Sequence, residues 1–257
     1  MIDWLRRLST VCLDLLFPPA ERCLLCGRTL RDQQEPLCSV CVAEMKHPPG
    51  TICIRCGRPL TDFPGDLTGL TWRSATGCRL CQGAQWAFTQ ARSIGPYEGS
   101  LRLAVHRLKF RGQQHFGRAL ADLLYQSADR DWWQNAEAIV PVPLHPDRLQ
   151  QRGFNQAEVV AEQLAQRTGR PMLRLLMRTL ATTPQMGLTR RQRQQNVRSA
   201  FRMIPGPPKR WPVRGRTLLL VDDVLTTGST ADACAQVLLQ AGAAEVRVAT
   251  LAITNLD

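Results

Sequence analysis

The sequence predicts an α/β protein, with a mostly parallel sheet flanked by helices and preceded by a small cysteine-stapled domain. Three observations carry this. Eight of the ten cysteines fall into four C-x-x-C pairs before residue 82. From about Trp86 onward, apolar runs of strand length alternate with helix-spaced segments, the pattern of strands joined by crossover helices. One such run, LLLV at 218–221, ends in two adjacent aspartates followed by a Thr-Thr-Gly-Ser turn.

Taken in order, residues 1–20 read as a short amphipathic helix with Trp4, Leu8, Cys12 and Leu15 or Leu16 on one face. Asp14 and Pro18-Pro19-Ala20 argue against a secretory leader. No stretch reaches the ~18 uninterrupted apolar residues of a membrane helix. The expectation is a cytoplasmic protein without a membrane span.

The cysteine pairs are Cys23/Cys26, Cys38/Cys41, Cys53/Cys56 and Cys78/Cys81, separated by 11, 11 and 21 residues. Each pair presents two thiolates from one tight turn, and two such turns complete a tetrahedral shell around zinc. CLLCGR and CIRCGR both place glycine after the second cysteine, where the knuckle needs a positive φ. Disulfides, the rival reading, need an oxidising compartment. All-cysteine shells are closed, so two structural zinc sites are expected rather than a catalytic one. Sequential pairing and an interleaved cross-brace both fit the spacing. Domain boundaries are set at 1–84 for the N-terminal helix and cysteine domain, and 85–257 for the α/β domain.

Within the second domain, AEAIVPVPL is a strand running into a loop, and NQAEVVAEQLAQRTG a helix with Val159, Val160 and Leu164 inward and a stop at Gly169. MLRLLMR reads as a strand, 179–199 as a polar arm, AFRMI as a return strand and 205–212 as a proline-rich turn. TLLLV is the next strand, STADACAQVLLQAG a helix stopped at Gly242 with Cys234 inward, and EVRVATLAI the last strand. Ligands of such sheets bind beyond the carboxyl ends of the strands.

The formal charge is +12, and no acidic residue occurs between Glu162 and Asp222, a span holding twelve arginines and Lys209. A one-sign field of this kind attracts polyanions such as phosphorylated metabolites or nucleic acid. At the end of LLLV, Asp222 and Asp223 repel each other unless a ribose diol or Mg²⁺ lies between them. Thr226, Thr227, Gly228 and Ser229 open a helix whose free N–H groups make a phosphate cradle. A Walker B strand would need a G-x-x-x-x-G-K-[ST] loop, and none of the three lysines follows a glycine. An ordinary capped helix after a strand is the plain alternative.

VDDVLTTG at 221–228 resembles the phosphoribosyl-pyrophosphate (PRPP) signature of type I phosphoribosyltransferases. HRLKFRG, PVPLHPDRLQQRGFNQ, TPQMGLTRRQRQQNV and VDDVLTTGST, behind the four cysteine knuckles, together resemble the ComF family of competence and DNA-utilisation proteins and its GntX-like branch. The resemblance implies a phosphoribosyltransferase-type sheet behind a double zinc ribbon. It implies that Asp222 and Asp223 hold the ribose hydroxyls, and that Leu225, Thr226, Thr227, Gly228, Ser229 and Thr230 grip the 5-phosphate. PRPP would enter with Mg²⁺. Arg148 and Arg152 are the candidates for the pyrophosphate, because guanidinium forks suit phosphate oxygens. Arg190, Arg191 and Arg193, in the place of the family's catalytic arm, would close over the site and exclude water. Asn155 and Gln156 either orient the loop or cap the helix. His145 touches pyrophosphate or only solvent, and His106 and Lys109 read as a solvated helix face.

Three functions follow: a transferase acting on an unknown acceptor, a handler of single-stranded DNA, or a PRPP-sensing adaptor that docks competence-machinery proteins. Against DNA stacking, the basic span contains only Phe201 and Trp211 as aromatics.

Overall fold

The computed structural model describes residues 22–30, 36–47, 52–60, 78, 81, 83, 85–109, 114–179, 200–206 and 213–255. The expected N-terminal helix, the 179–199 arm beyond Thr179 and most of the proline-rich turn lie outside them. The chain divides into two compact units between Ala43 and Glu44. The first holds a knuckle at 23–28, with Leu25 and Leu37 buried, and the division falls inside helix α1 (Ser39–Met45).

The second unit contains a four-stranded parallel sheet in the order β1 (Gln90–Pro96), β6 (Glu245–Ile253), β5 (Thr217–Leu225), β2 (Ala138–Pro141). Helices α2 (Gly99–Leu108), α3 (Gln114–Gln126) and α4 (Arg130–Gln134) connect β1 to β2. Then follow α5 (Pro146–Arg152), α6 (Gln156–Thr168), strands β3 (Leu176–Arg178) and β4 (Phe201–Met203), and α7 (Ser229–Gln240) between β5 and β6. The expected fold class is the observed one: both faces of the sheet are covered, so its strands read as near-continuous apolar runs. Leu218 and Leu220 pack with Cys234 and Leu238 of α7. Residues of the other parity, Ile139, Leu219 and Val221, are equally buried, and α6 packs on β2 and β5.

Two elements differ from expectation. Only Leu176–Arg178 of MLRLLMR forms a strand, and it pairs antiparallel with β4 in a separate two-stranded sheet. The chain just before it, around Met172, instead makes a single parallel bridge to Ile139 at the edge of β2. Strand β5 does not stop at Val221. It continues through the acids to Leu225, because β6 extends beside it and pairs Asp222 with Thr250 and Leu225 with Ile253.

Candidate functional site

Strand β2 ends at Pro141, level with Val221, so β5 outruns it. The vacated edge beyond Val221 opens a cleft of about 200 Å³. Asp222, Asp223 and Thr230 line it from the β5–α7 side, Val142, Pro143, Leu144, Arg148, Arg152, Asn155 and Gln156 from the opposite side, and Lys109 and Arg178 from two further elements. The cleft lies at the carboxyl end of the sheet, where open α/β sheets take ligands.

Burial pushes the Asp222 carboxyl up to about 8, and the charge of Asp223 adds to this. The Asp223 N–H, donating to Asp222 Oδ1 at 2.8 Å, and the charge of Lys109 work the other way. Lys109 Nζ lies 3.3 Å from Asp223 Oδ2. One cation thus holds two adjacent carboxyls together in a cleft that would otherwise force them apart. Opposite them, burial lowers the Arg178 pKa and the neighbouring Arg148 lowers it further, while its guanidinium lies 5.4 Å from the Phe201 ring centre. Acids on one wall and guanidinium groups on the other suit a ligand with hydroxyls at one end and phosphates at the other.

The turn from β5 to α7 is built on Gly228, whose φ of +81° no β-carbon tolerates well. Added there, a Cβ would meet the Trp86 ring at 3.0 Å. Thr227 Oγ1 accepts from the Ser229 N–H at 3.4 Å and lies 2.9 Å from Ser229 Oγ. At the facing wall, Asn155 Oδ1 accepts from the Ala157 N–H at 3.1 Å and Asn155 Nδ2 donates to the Val142 carbonyl at 2.9 Å. Asn155 therefore does both things expected of it, capping α6 and pinning the loop.

The eight knuckle cysteines form two groups, Cys23/Cys26/Cys38/Cys41 and Cys53/Cys56/Cys78/Cys81, each with its sulfurs within 4.8 Å of one another. The pairing is sequential. A tetrahedron of Zn–S bonds of about 2.3 Å has edges of about 3.8 Å. Cys26–Cys38 and Cys56–Cys78 at 3.6 Å and Cys53–Cys81 at 3.8 Å match those edges. Backbone N–H groups of Cys38 and Cys78 each point at a cysteine sulfur from 3.3 Å, as thiolate ligands require. Two four-cysteine zinc sites fit these residues.

Of the residues named from sequence, Asp222, Asp223, Thr230, Arg148 and Arg152 come together in the cleft. Leu225 is the buried last residue of β5, Thr226 to Gly228 form the turn and Ser229 opens α7; these five are not among the residues that line the cleft. Arg190, Arg191 and Arg193 lie outside the described residues. His145 is a helix cap, its Nδ1 accepting from the Asp147 N–H at 3.3 Å, and His106 is exposed. Sequence reasoning passed over two members. Lys109, expected on a solvated helix face, pairs with Asp223. Arg178, the last residue of β3, was legible only as part of a basic stretch, although its place at a strand end was a usable signal.

The sequence matches the double zinc ribbon domain over residues 12–85 and the phosphoribosyl transferase domain over residues 113–255. Competence protein F of Haemophilus influenzae is similar, 33% identical over 90% of this chain and 96% of its own. The DNA utilization protein YhgH of Salmonella typhimurium is 38% identical over 66% of this chain and 75% of its own. Among solved structures, the allosteric regulatory enzyme of purine biosynthesis aligns over 52% of this chain and 25% of that one, at 24% identity and a TM-score of 0.34. No helix among the described residues is long and apolar enough to cross a membrane.

Proposed function

The chain belongs to the family of competence protein F and the YhgH DNA utilization proteins, and from that premise we propose that it binds PRPP in the Asp222–Arg178 cleft and acts in DNA uptake or utilisation. The observation that carries this reading is the meeting of an acid pair and three arginines in one cleft, beside Thr230 of the helix that the Thr-Thr-Gly-Ser turn opens. In this reading residues 1–84 hold zinc and residues 85–257 handle the phosphoribosyl compound. The compact units divide earlier, between Ala43 and Glu44, because the second ribbon is packed with the module it serves.

Asp222 and Asp223 are the residues that would face a magnesium ion bound with the ligand, and the metal would supply charge neutralisation at the phosphates. Ribose hydroxyls donate to Asp222 and Asp223, which favours the ionised carboxyls over the protonated state that burial imposes. The 5-phosphate sits on the Thr226–Thr230 turn against free N–H groups of α7. Arg148, Arg152 and Arg178 take the pyrophosphate. If an acceptor is present, its nucleophile bonds to C1 as the C1–O bond to pyrophosphate breaks, and the arginines neutralise the departing anion. Arg190 and Arg191 would close over this step. A cytoplasmic location accords with both PRPP and thiolate zinc.

The test is calorimetric titration of zinc-loaded protein with PRPP, with and without Mg²⁺, beside the Asp222→Ala/Asp223→Ala variant. We expect Mg²⁺-dependent binding weakened by at least about a hundredfold in the variant, since each acid forms charged hydrogen bonds to the ligand. Equal affinities would refute the site. A second reading, a scaffold without turnover that binds single-stranded DNA or a competence partner, draws on the acid-free basic span from 163 to 221. Salt-sensitive DNA binding by a well-folded protein that ignores PRPP would favour it.

A further inference from the structure

The second cysteine knuckle reaches the phosphate turn directly. Arg58 closes that knuckle and is only 4% exposed, an unusual place for a guanidinium. Its Nε donates to the Thr254 carbonyl at 2.9 Å, and a terminal nitrogen donates to the Thr226 carbonyl. Leu225 and Ile253 form the last pair of the β5–β6 ladder, so the carbonyls of Thr226 and Thr254 lie just past its end. A planar fork matches two such acceptors in a way no other side chain does. The carbonyl of the same arginine accepts from the Cys53 N–H at 2.8 Å.

A second contact runs parallel to the first. Trp86 packs on Cys53, Cys56 and Cys81, and its ring is what a Cβ on Gly228 would strike. Arg55, inside the knuckle, donates to the Trp86 carbonyl at 3.2 Å and to the Cys81 carbonyl at 3.4 Å. The α7 end is tied to this segment as well, since Asp232 Oδ1 accepts from the Ala87 N–H at 2.7 Å. A four-thiolate zinc site would carry a formal charge of −2 in the same knuckle as this cation. Neither the buried charge nor the turn it holds is indifferent to the state of the knuckle.

We propose that the second zinc knuckle is the foundation of the phosphate turn, and that Arg58 is a positioning residue for the phosphoribosyl group, acting through the Thr226 carbonyl. The proposal rests on the reading of the turn as a PRPP site. It makes zinc and PRPP binding linked: whatever loosens the knuckle loosens the turn, and by reciprocity the bound ligand tightens the knuckle. The equivalent arginine of the first knuckle, Arg28, is exposed.

The experiment compares the zinc-loaded full chain with Arg58→Met, Arg58→Lys and Arg28→Met. It reads zinc content, amide hydrogen exchange of the peptide spanning 224–231, and the Kd for Mg·PRPP. Arg58→Met is expected to retain two zinc ions while exchange in the turn speeds up and Kd rises, each by about tenfold, the scale of a lost charged hydrogen bond. Arg58→Lys, which keeps the charge without the fork, should fall between, and Arg28→Met should match the parent. Unchanged turn exchange and Kd in zinc-loaded Arg58→Met would overturn the proposal. If Arg58→Met fails to hold zinc, Arg58→Lys decides by the same two measurements. A parent protein with no PRPP affinity, whose turn still loosens in Arg58→Met, would overturn the functional reading and support the brace.

Discussion

The two knuckles CLLCGR and CIRCGR are built alike and used differently. In each, the first cysteine N–H donates to the arginine carbonyl at 2.8 Å, and the glycine N–H donates to the first cysteine carbonyl at 2.9 Å. Each is closed by one antiparallel bridge, Arg22 to Thr29 and Ile52 to Pro59. The glycines share a φ near +75°. What differs is the surroundings. Cys26, Gly27 and Arg28 are exposed, whereas Cys56, Gly57 and Arg58 are buried. The motif fixes the metal geometry, and the neighbours decide whether the knuckle only holds metal or also holds something else in place.

Removing one thiolate from each site tests this most severely. Cys23→Ser and Cys53→Ser should each cost one zinc ion, measured by metal analysis. Cys53→Ser should also weaken Mg·PRPP binding by more than about a hundredfold, because much of a ribbon's folding energy comes from its metal. Cys23→Ser should change it by less than about twofold, since the described lining of the cleft comes wholly from residues after Ala43. Equal losses would erase the difference between the knuckles.

A smaller effect sharpens the comparison without touching the metal. Among the described residues, a Cβ at Gly27 meets nothing within 4 Å, whereas at Gly57 it would meet the Ala91 carbonyl oxygen at 3.0 Å. Both substitutions incur the left-handed backbone cost. Gly27→Ala should therefore destabilise by about 1 kcal/mol and Gly57→Ala by about 2–3 kcal/mol in thermal unfolding of the zinc-loaded protein. Matching shifts would mean the Ala91 backbone yields freely.

The features readable from sequence were the local ones. Knuckle spacing, the apolar run ahead of Asp222 and the helix start after Gly228 depend on residues a few positions apart, so pattern alone places them. The extent of β5 was not readable, because its last four residues are held as strand by pairing with β6 rather than by their own character. β1, QARSIGP, has no apolar run and becomes a strand by lying beside β6. Lys109 and Arg178 join the cleft only when α2 and β3 are folded around the sheet. Arg28 and Arg58 occupy the same motif position, and no local pattern could separate the exposed one from the buried one.

The least of the expected effects asks whether the cleft, rather than the knuckle beneath it, sets the response to pH. The Asp222 carboxyl, raised to about 8 in the free protein, stays protonated at neutral pH, where an unfolded chain would have released the proton near pH 4. The folded state therefore binds the extra proton, and its contribution to stability is full below about pH 4 and lost as pH rises to about 8. Ligand binding runs the other way, since ribose hydroxyls need the ionised carboxyl. Affinity for Mg·PRPP should rise by up to about tenfold between pH 7 and 9 and level off above 8. Asp222→Asn should abolish the rise, leaving only the ligand's own phosphate titration, and should flatten the fall in Tm over the same range. Arg58→Lys should shift both curves without changing their shape. A pH response that survives in Asp222→Asn would place the titrating group elsewhere, and one lost in Arg58→Lys would mean the knuckle governs the charge of the cleft as well as the position of its turn.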